Sequence, residues 1–444
     1  MKTTSLTRRE FIQACCASAA TAAAAPALIF SEDAHAAANA YDTVVHVFLR
    51  GGFDGLNLVP PIDGADRIHY EQARPDLSVA ASGAYAALPL RLANGSATGF
   101  GLHPSAVGLS DIWAVGDLAI VQCCGMGSTV TRSHFDAQLY LDLGTPGRHG
   151  TSGGWLARAG QDVSPAASML QLAVNSRQPA SLLGSTQAIT MGSPSDFALN
   201  AGAWQWQTYR NGMPAGTKGV NQLIGSLWNG PSALEASGRG AASALRLVAE
   251  KPYGALPATW PTSNFARQLW TVAQAIRFNL GLRFASVDLG GWDTHEGQGT
   301  AGSGYHYYQN KIAELSAALT AFHNELAASG HLSRVTTVVQ SEFGRRVRQN
   351  GSGGTDHGYG NPLLVMGGPV NGRKLYGAWK GLDPEVLSPY FGDVPVTTDY
   401  RRVLSELLIR RIRNNRLGRV FPDYANYTPM GLFSGTDLPP DYTL

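Results

Sequence analysis

The chain has 444 residues, 44% of them hydrophobic and 15% charged, with a formal net charge of +2. That balance excludes a disordered chain, and with no basic run in the body of the sequence there is no electrostatic case for a nucleic-acid partner. Length alone fits one large α/β domain or two modest ones. At the N-terminus, "TRREFIQ" (Thr7 to Gln13) sets two arginines ahead of an alanine-rich stretch without acidic residues, and "AHA" (Ala34 to Ala36) supplies small residues for cleavage. This predicts a twin-arginine export signal over residues 1–40 and a periplasmic or secreted protein whose first partner is the twin-arginine export machinery. The competing reading is a buried alanine-rich helix. No later stretch has the length of a membrane span.

The remainder, residues 41–444, reads as one α/β unit. "DTVVHVFLRGGFDGLN" opens it with a β-branched apolar run that closes on paired glycines, the pattern of a buried strand and its loop. The same grammar returns in "LAIVQCCG" from Leu118, "LRFASVDLGG" from Leu282, "RVTTVVQSEFG" from Arg334 and "PLLVMGG" from Pro362. Helical spacing lies between them, as in Asn310 to Ser329, and Thr398 to Asn415 reads as a late surface helix with solvated arginines. Strands alternating with helices predict an α/β fold around a mainly parallel sheet, with ligands gathering at the carboxyl ends of the strands. About 160–253 is less regular and is expected to be an elaboration covering the site. Cys123 and Cys124 are neighbours, a poor geometry for a disulfide, and are expected to pack as small apolar groups at a strand end.

Polar clusters fall at those strand ends. Asp54 in "RGGFDGLN" is either a metal carboxylate or the Asp of a turn. In "TRSHFDAQ", Ser133 is either a nucleophile, with Arg132 facing an anionic substrate, or a helix N-cap. "VDLGGWDTHEGQ" is the most suggestive stretch: Asp293 and His295, at i and i+2 of an extended segment, point the same way and are suitable ligands for a divalent transition metal. Trp292 would wall that pocket and Glu296 would hydrogen-bond the imidazole, whereas a polar loop without metal is the plain alternative. Glu342 in "QSEFGRR" is a ligand or a carboxylate paired with an arginine, and Asp356 with His357 sits on a glycine-rich loop leading into a strand.

"FLRGGFDGLN", "SHFDAQ", "GGWDTHEGQ", "SEFGRRV", "GGTDHGYGN" and "TTDYR", in this order, resemble a bacterial exported family catalogued as domain of unknown function 1501, itself grouped with the alkaline phosphatase superfamily of phosphatases and sulfatases. The resemblance implies an alkaline-phosphatase-like α/β fold. It implies that Asp54 matches the first-strand metal carboxylate, Ser133 the metal-bound nucleophile, Asp293 and His295 the Asp and His of one metal, and His357 the late histidine completing that shell. The superfamily's adjacent Asp-His pair falls on Glu342 and Phe343, where phenylalanine replaces an imidazole. In the other register Asp356 and His357 form that pair, and no histidine follows them. His134 is a possible substitute for the missing ligand, and His306 an alternative to His295.

These readings converge on an exported metal-dependent hydrolase of phosphate or sulfate esters acting on a small anionic ester, with a metal-activated serine or water as nucleophile. One or two divalent ions are implied, and zinc, manganese and iron suit the ligand types equally. Arg132 and Arg345 are the groups expected to stabilise anionic oxygens. The alternatives are a secreted, non-catalytic binding or assembly protein that keeps the scaffold and at most one metal, and a redox protein using the cysteine pair.

Overall fold

The computed structural model describes residues 41–150, 153–163, 169–195, 228–389 and 392–444. The predicted export signal lies outside them. Strands follow in chain order as β1 (Thr43–Leu49), β2 (Leu88–Arg91), β3 (Ala97–Leu102), β4 (Leu118–Gly125), β5 (Gln171–Val174), β6 (Ala188–Met191), β7 (Phe284–Leu289), β8 (Val335–Ser341), β9 (Asn361–Met366), β10 (Lys374–Tyr376) and β11 (Thr398–Asp399). The helices used below are α1 (Gly64–Ala73), α2 (Val107–Val115), α3 (His134–Leu143), α4 (Trp155–Gln161), α5 (Ala233–Glu250), α6 (Asn264–Arg277), α7 (Tyr307–Ala328) and α8 (Tyr400–Leu407).

One sheet runs in the order β10-β4-β9-β8-β1-β7-β5-β6, with β11 also on β4, while β2 and β3 form a small antiparallel pair apart from it. β1 lies near the centre, parallel to β7 and β8, and every one of its residues is buried. Both faces must therefore be apolar, which is why its β-branched run shows no polar alternation. Val45, Val47 and Leu49 meet residues of α2, α6 and α7 on one side, and Val44 and Phe48 meet α4 and α8 on the other. His46 lies on the second face against Trp155, and burial pushes its imidazole down to about 3, so it is a neutral core group. The result is an α/β fold with a mostly parallel central sheet and flanking helices.

Two departures from the sequence reading matter for the site. β9 runs antiparallel to both β4 and β8, so the loop before it reaches the same rim as the loops that follow β1, β7 and β8. The stretch read as irregular also supplies regular structure: β5 and β6 extend the sheet beyond β7, and α5 is an 18-residue helix with a Ser232–Glu235 capping box. Cys123 and Cys124 are free and buried, and burial raises both thiols, Cys123 to about 11. Thiols so held are poor thiolates, which removes the basis of the redox reading. No helix among the described residues is long and apolar enough to cross a membrane.

Candidate metal centre

Four segments meet at the rim formed by the ends of β1, β7 and β8 and the start of β9. His134 is the first residue of α3, whose N-cap is Ser133. Asp293 and His295 lie in the loop after β7, Glu342 follows β8 directly, and Asp356 and His357 precede β9. Glycines let these backbones close in. A side chain at Gly51, whose φ is +122°, would strike the Asp293 nitrogen at 2.6 Å, and one at Gly354 would strike the His295 carbonyl at 2.4 Å. The segment after Glu342 folds against the one before β9, with Arg346 N donating to Asp356 O at 2.9 Å and Gly358 N to Gly344 O at 2.7 Å.

Arg345 locks the assembly from below. It is 2% exposed. Its guanidinium donates to the carbonyls of Gly52 (2.6 Å), Thr355 (2.8 Å) and Gly51 (2.5 Å), and to Asp293 Oδ1 at 2.6 Å. Burial pushes the Asp293 carboxyl up, and the bond and charge of Arg345 are the largest causes opposing it, which leaves the group down at about 2. Arg345 thus favours Asp293 as an anion.

Around that anion stand three imidazoles, each fixed through Nδ1. His134 Nδ1 is 2.8 Å from Glu342 Oε1, His295 Nδ1 is 2.9 Å from Asp356 Oδ1, and His357 Nδ1 is 2.7 Å from the Arg132 carbonyl. Carboxylates and carbonyls only accept, so in a neutral ring each Nδ1 carries the proton and each Nε2 keeps its lone pair. Those Nε2 atoms lie 3.4, 3.1 and 3.3 Å from Asp293 Oδ1 for His134, His295 and His357 respectively. His295 Nε2 and His357 Nε2 are 2.8 Å apart, and His134 Nε2 is buried with no hydrogen-bond partner among the described residues. Lone pairs aimed at one another and at a carboxylate repel unless a cation stands among them.

The donor set fits a divalent transition ion. Donors of a tetrahedral shell with bonds near 2.0–2.1 Å lie about 3.3–3.4 Å apart, close to the spacings observed, and ligating histidines characteristically donate their other N–H to a carboxylate or carbonyl. His134, Asp293 and His357 offer ligand atoms that all lie within 4.8 Å of one another, and His295 joins through its contacts with Asp293 and His357. Asp293 and His295 are about half exposed, so the group opens to solvent.

The hydrogen bonds also move the balance of the surrounding groups. Burial pushes the Glu342 carboxyl up, but donation from His134 and Gln138 wins and lowers it. The same bond raises His134, the bond from His295 lowers Asp356, and burial lowers His357. Phe343 packs on the rings of His134 and His357, with centroids 4.9 and 4.8 Å away. It supports the imidazoles from the position where the resemblance called for another ligand.

Several residues chosen from the sequence stand elsewhere or act differently. The structure leaves Asp54 out of this group: it is fully buried, and its Oδ2 accepts from Arg74 and from Gln298, both at 2.6 Å. Glu342 and Asp356 serve as acceptors behind histidines. Arg345 faces backbone carbonyls and Asp293, and Arg132 is bound to Asp393 and the His357 carbonyl, so both guanidiniums are engaged within the protein. Ser133 Oγ caps α3, accepting from Asp136 N at 3.3 Å. Trp292 is buried in the core against Phe53 and Tyr308, Glu296 is exposed while Asp356 takes the place expected of it, and His306 stands at the N-cap position of α7, without a side-chain capping bond, beside Gly299 and Gly302. Sequence reasoning weighed His134 only as a substitute. Its signal was the helix-start position directly after a strand-end loop.

The profile of a family described as "Protein of unknown function (DUF1501)" matches residues 246–391, which include Asp293, His295, Glu342, Asp356 and His357. No curated protein sequence matches the chain. Among solved structures, the lipoteichoic acid synthase LtaP from Listeria monocytogenes is similar with a TM-score of 0.34 and 7% identity, over 94% of this chain and 82% of that chain.

Proposed function

We propose that this is an exported, metal-dependent hydrolase of phosphate or sulfate esters with an alkaline-phosphatase-like scaffold, built on a single cation site. The observation that carries the cation is the set of three histidines tied back through Nδ1, with their Nε2 lone pairs converging on Asp293 Oδ1. His134, His295, His357 and Asp293 would hold the ion. A divalent cation there supplies Lewis acidity, polarising an ester oxygen and acidifying a nearby hydroxyl or water.

The chain's own groups do the rest. Arg345 keeps Asp293 ionised and aimed, Glu342 and Asp356 keep His134 and His295 in the metal-binding tautomer, and Phe343 holds two rings in place. Ser133, one residue before His134, is the nucleophile this reading assigns, with water as the alternative. Its oxygen accepts the capping bond, and its proton remains to be given up. The N-terminus of α3 adds partial positive charge beside an anionic substrate. Ester chemistry and export rest on the family resemblance and on the paired arginines at Arg8 and Arg9.

The test is elemental analysis of protein exported by its own host, followed by a panel of phosphate and sulfate esters before and after chelation. Stoichiometric metal and turnover lost on chelation or in Ser133→Ala support the reading. A second reading, a binding protein that keeps the cation without catalysis, draws on the buried Asp54–Arg74 pair, which leaves that carboxylate no role beside the metal. Stable metal with no turnover on any ester would favour it.

A further inference from the structure

Arg50 at the end of β1 and Gln138 in α3 belong to the sequence motifs but not to the ligand set or its immediate supports. They are joined to each other and to the metal centre. Arg50 NH1 lies 3.2 Å from Gln138 Oε1, and Gln138 Nε2 lies 2.8 Å from Glu342 Oε1, the oxygen that faces His134 Nδ1. We infer that Gln138, oriented by Arg50, is a positioning residue that fixes which nitrogen of His134 is free to bind a cation.

The argument is one of donors and acceptors. A guanidinium can only donate, so the amide oxygen of Gln138 must face Arg50 and its NH2 must face Glu342. The flipped amide would set oxygen against carboxylate and NH2 against guanidinium, two repulsive contacts in place of two bonds. Glu342 Oε1 receives Gln138 Nε2 and Gly51 N, each at 2.8 Å, which hold this acceptor in place against the third neighbour, His134 Nδ1. Nδ1 must carry the proton, and Nε2 presents its lone pair toward Asp293.

Arg50 is itself held. Its Nε bonds Asp288 Oδ2 at 2.7 Å, its NH2 reaches Asp142 Oδ2 at 3.4 Å, and its guanidinium lies 4.2 Å from the centre of the Phe48 ring. A charge anchored to β7 and α3 thus positions, through an amide, the carboxylate that sets the tautomer. In its effect on metal affinity this inference rests on the proposed cation site, but the tautomer is a property of the metal-free protein.

Two readouts test it. Nitrogen NMR of labelled histidines in metal-free protein, above the imidazole titration range and assigned with His134→Gln, should find His134 in the Nδ1–H form. Gln138→Met, of the same length but without the amide, should release Glu342 from its fixed place against His134 and so give a mixture of tautomers. Zinc titration calorimetry on the same variant should show binding weakened about 3–10-fold, less than the roughly 10–100-fold expected for a direct hydrogen-bond partner of a ligand. Gln138→Glu, which can satisfy Arg50 but turns a second anion toward Glu342, should lose more than Gln138→Met. Wild-type tautomer and wild-type affinity in Gln138→Met would overturn the inference. Should Gln138→Met not fold, the same readings on Gln138→Asn decide: a pure Nδ1–H form with unweakened zinc binding overturns the inference, and mixed tautomers with weaker binding uphold it. A wild-type protein that binds no zinc would sink the proposed function, and the tautomer measurement would still decide this inference.

Discussion

Asp54 and Asp293 are carboxylates in the loops after two neighbouring parallel strands, yet the protein treats them in opposite ways. Asp54 is sealed: fully buried, neutralised by Arg74, and bonded by Gln298. Asp293 is half exposed, also has an arginine at 2.6 Å, and is ringed by three further nitrogens that offer it no proton. Asp54 has its Oδ2 taken by two donors, Arg74 and Gln298, and is tied into the fold by them. Asp293 faces three imidazole nitrogens as well as its arginine, and the difference lies in what the neighbours can donate rather than in the carboxylate.

The largest effect should come from breaking the sealed pair. Arg74 lies fully buried at the C-cap of α1, and besides Asp54 it bonds Asn57 Oδ1 at 2.7 Å and the Val347 carbonyl at 2.8 Å. Arg74→Met strands the Asp54 charge, and loss of one partner of a buried ion pair costs about 3–5 kcal/mol. Denaturant unfolding should register that loss, while the metal affinity of the protein that remains folded stays close to wild type. A large fall in affinity with unchanged stability would reverse the roles assigned to the two carboxylates.

The open group should behave the other way. His357→Ala or His295→Ala removes a ligand and should lower metal affinity by more than the roughly 10–100-fold expected for an outer partner, with little change in the stability of the metal-free protein. Glu342→Gln and Asp356→Asn each convert an obligatory acceptor into an amide and should fall within that 10–100-fold range. Calorimetric titration with zinc and manganese measures all four. Affinity should also drop on acidification, because three imidazoles must be neutral to bind, and the bond from Glu342 raises His134, so that a proton competes with the metal for this ring.

Much of the open group was legible. Asp293 and His295 stand together because alternate residues of an extended segment share a side, and His357 followed from a glycine-rich loop abutting a strand. The direction of β9 was not legible, since a buried apolar run reads alike in parallel and antiparallel pairing. Yet that reversal is what brings His357 to this rim. His134 was masked by its neighbour, because a serine at a helix start explains itself as a cap. Arg74 sits 20 residues from Asp54 in a helix of its own and carries no local sign of its partner. Arg132 and Arg345 were assigned to substrate by charge alone, and only the folded chain reveals that carbonyls and carboxylates already occupy them.

A smaller effect separates a carboxylate with its own arginine from one that shares it. Asp142 is buried on α3, and Arg50, its counter-charge, sits closer to Asp288. Burial raises the Asp142 carboxyl to about 7, with Asp288 and Glu342 adding to the rise and Arg50 opposing it. A carboxyl whose folded value lies above its unfolded value stabilises the fold fully below about pH 4, and this contribution is lost as pH rises through about 7. Asp142→Asn removes the titration, so relative to wild type it should gain stability between pH 4 and pH 8. Unfolding curves of both proteins at the two pH values check the sign. A variant whose relative stability falls across that interval would mean that Asp142 is held ionised by Arg50, and that two carboxylates can be sealed by one shared guanidinium.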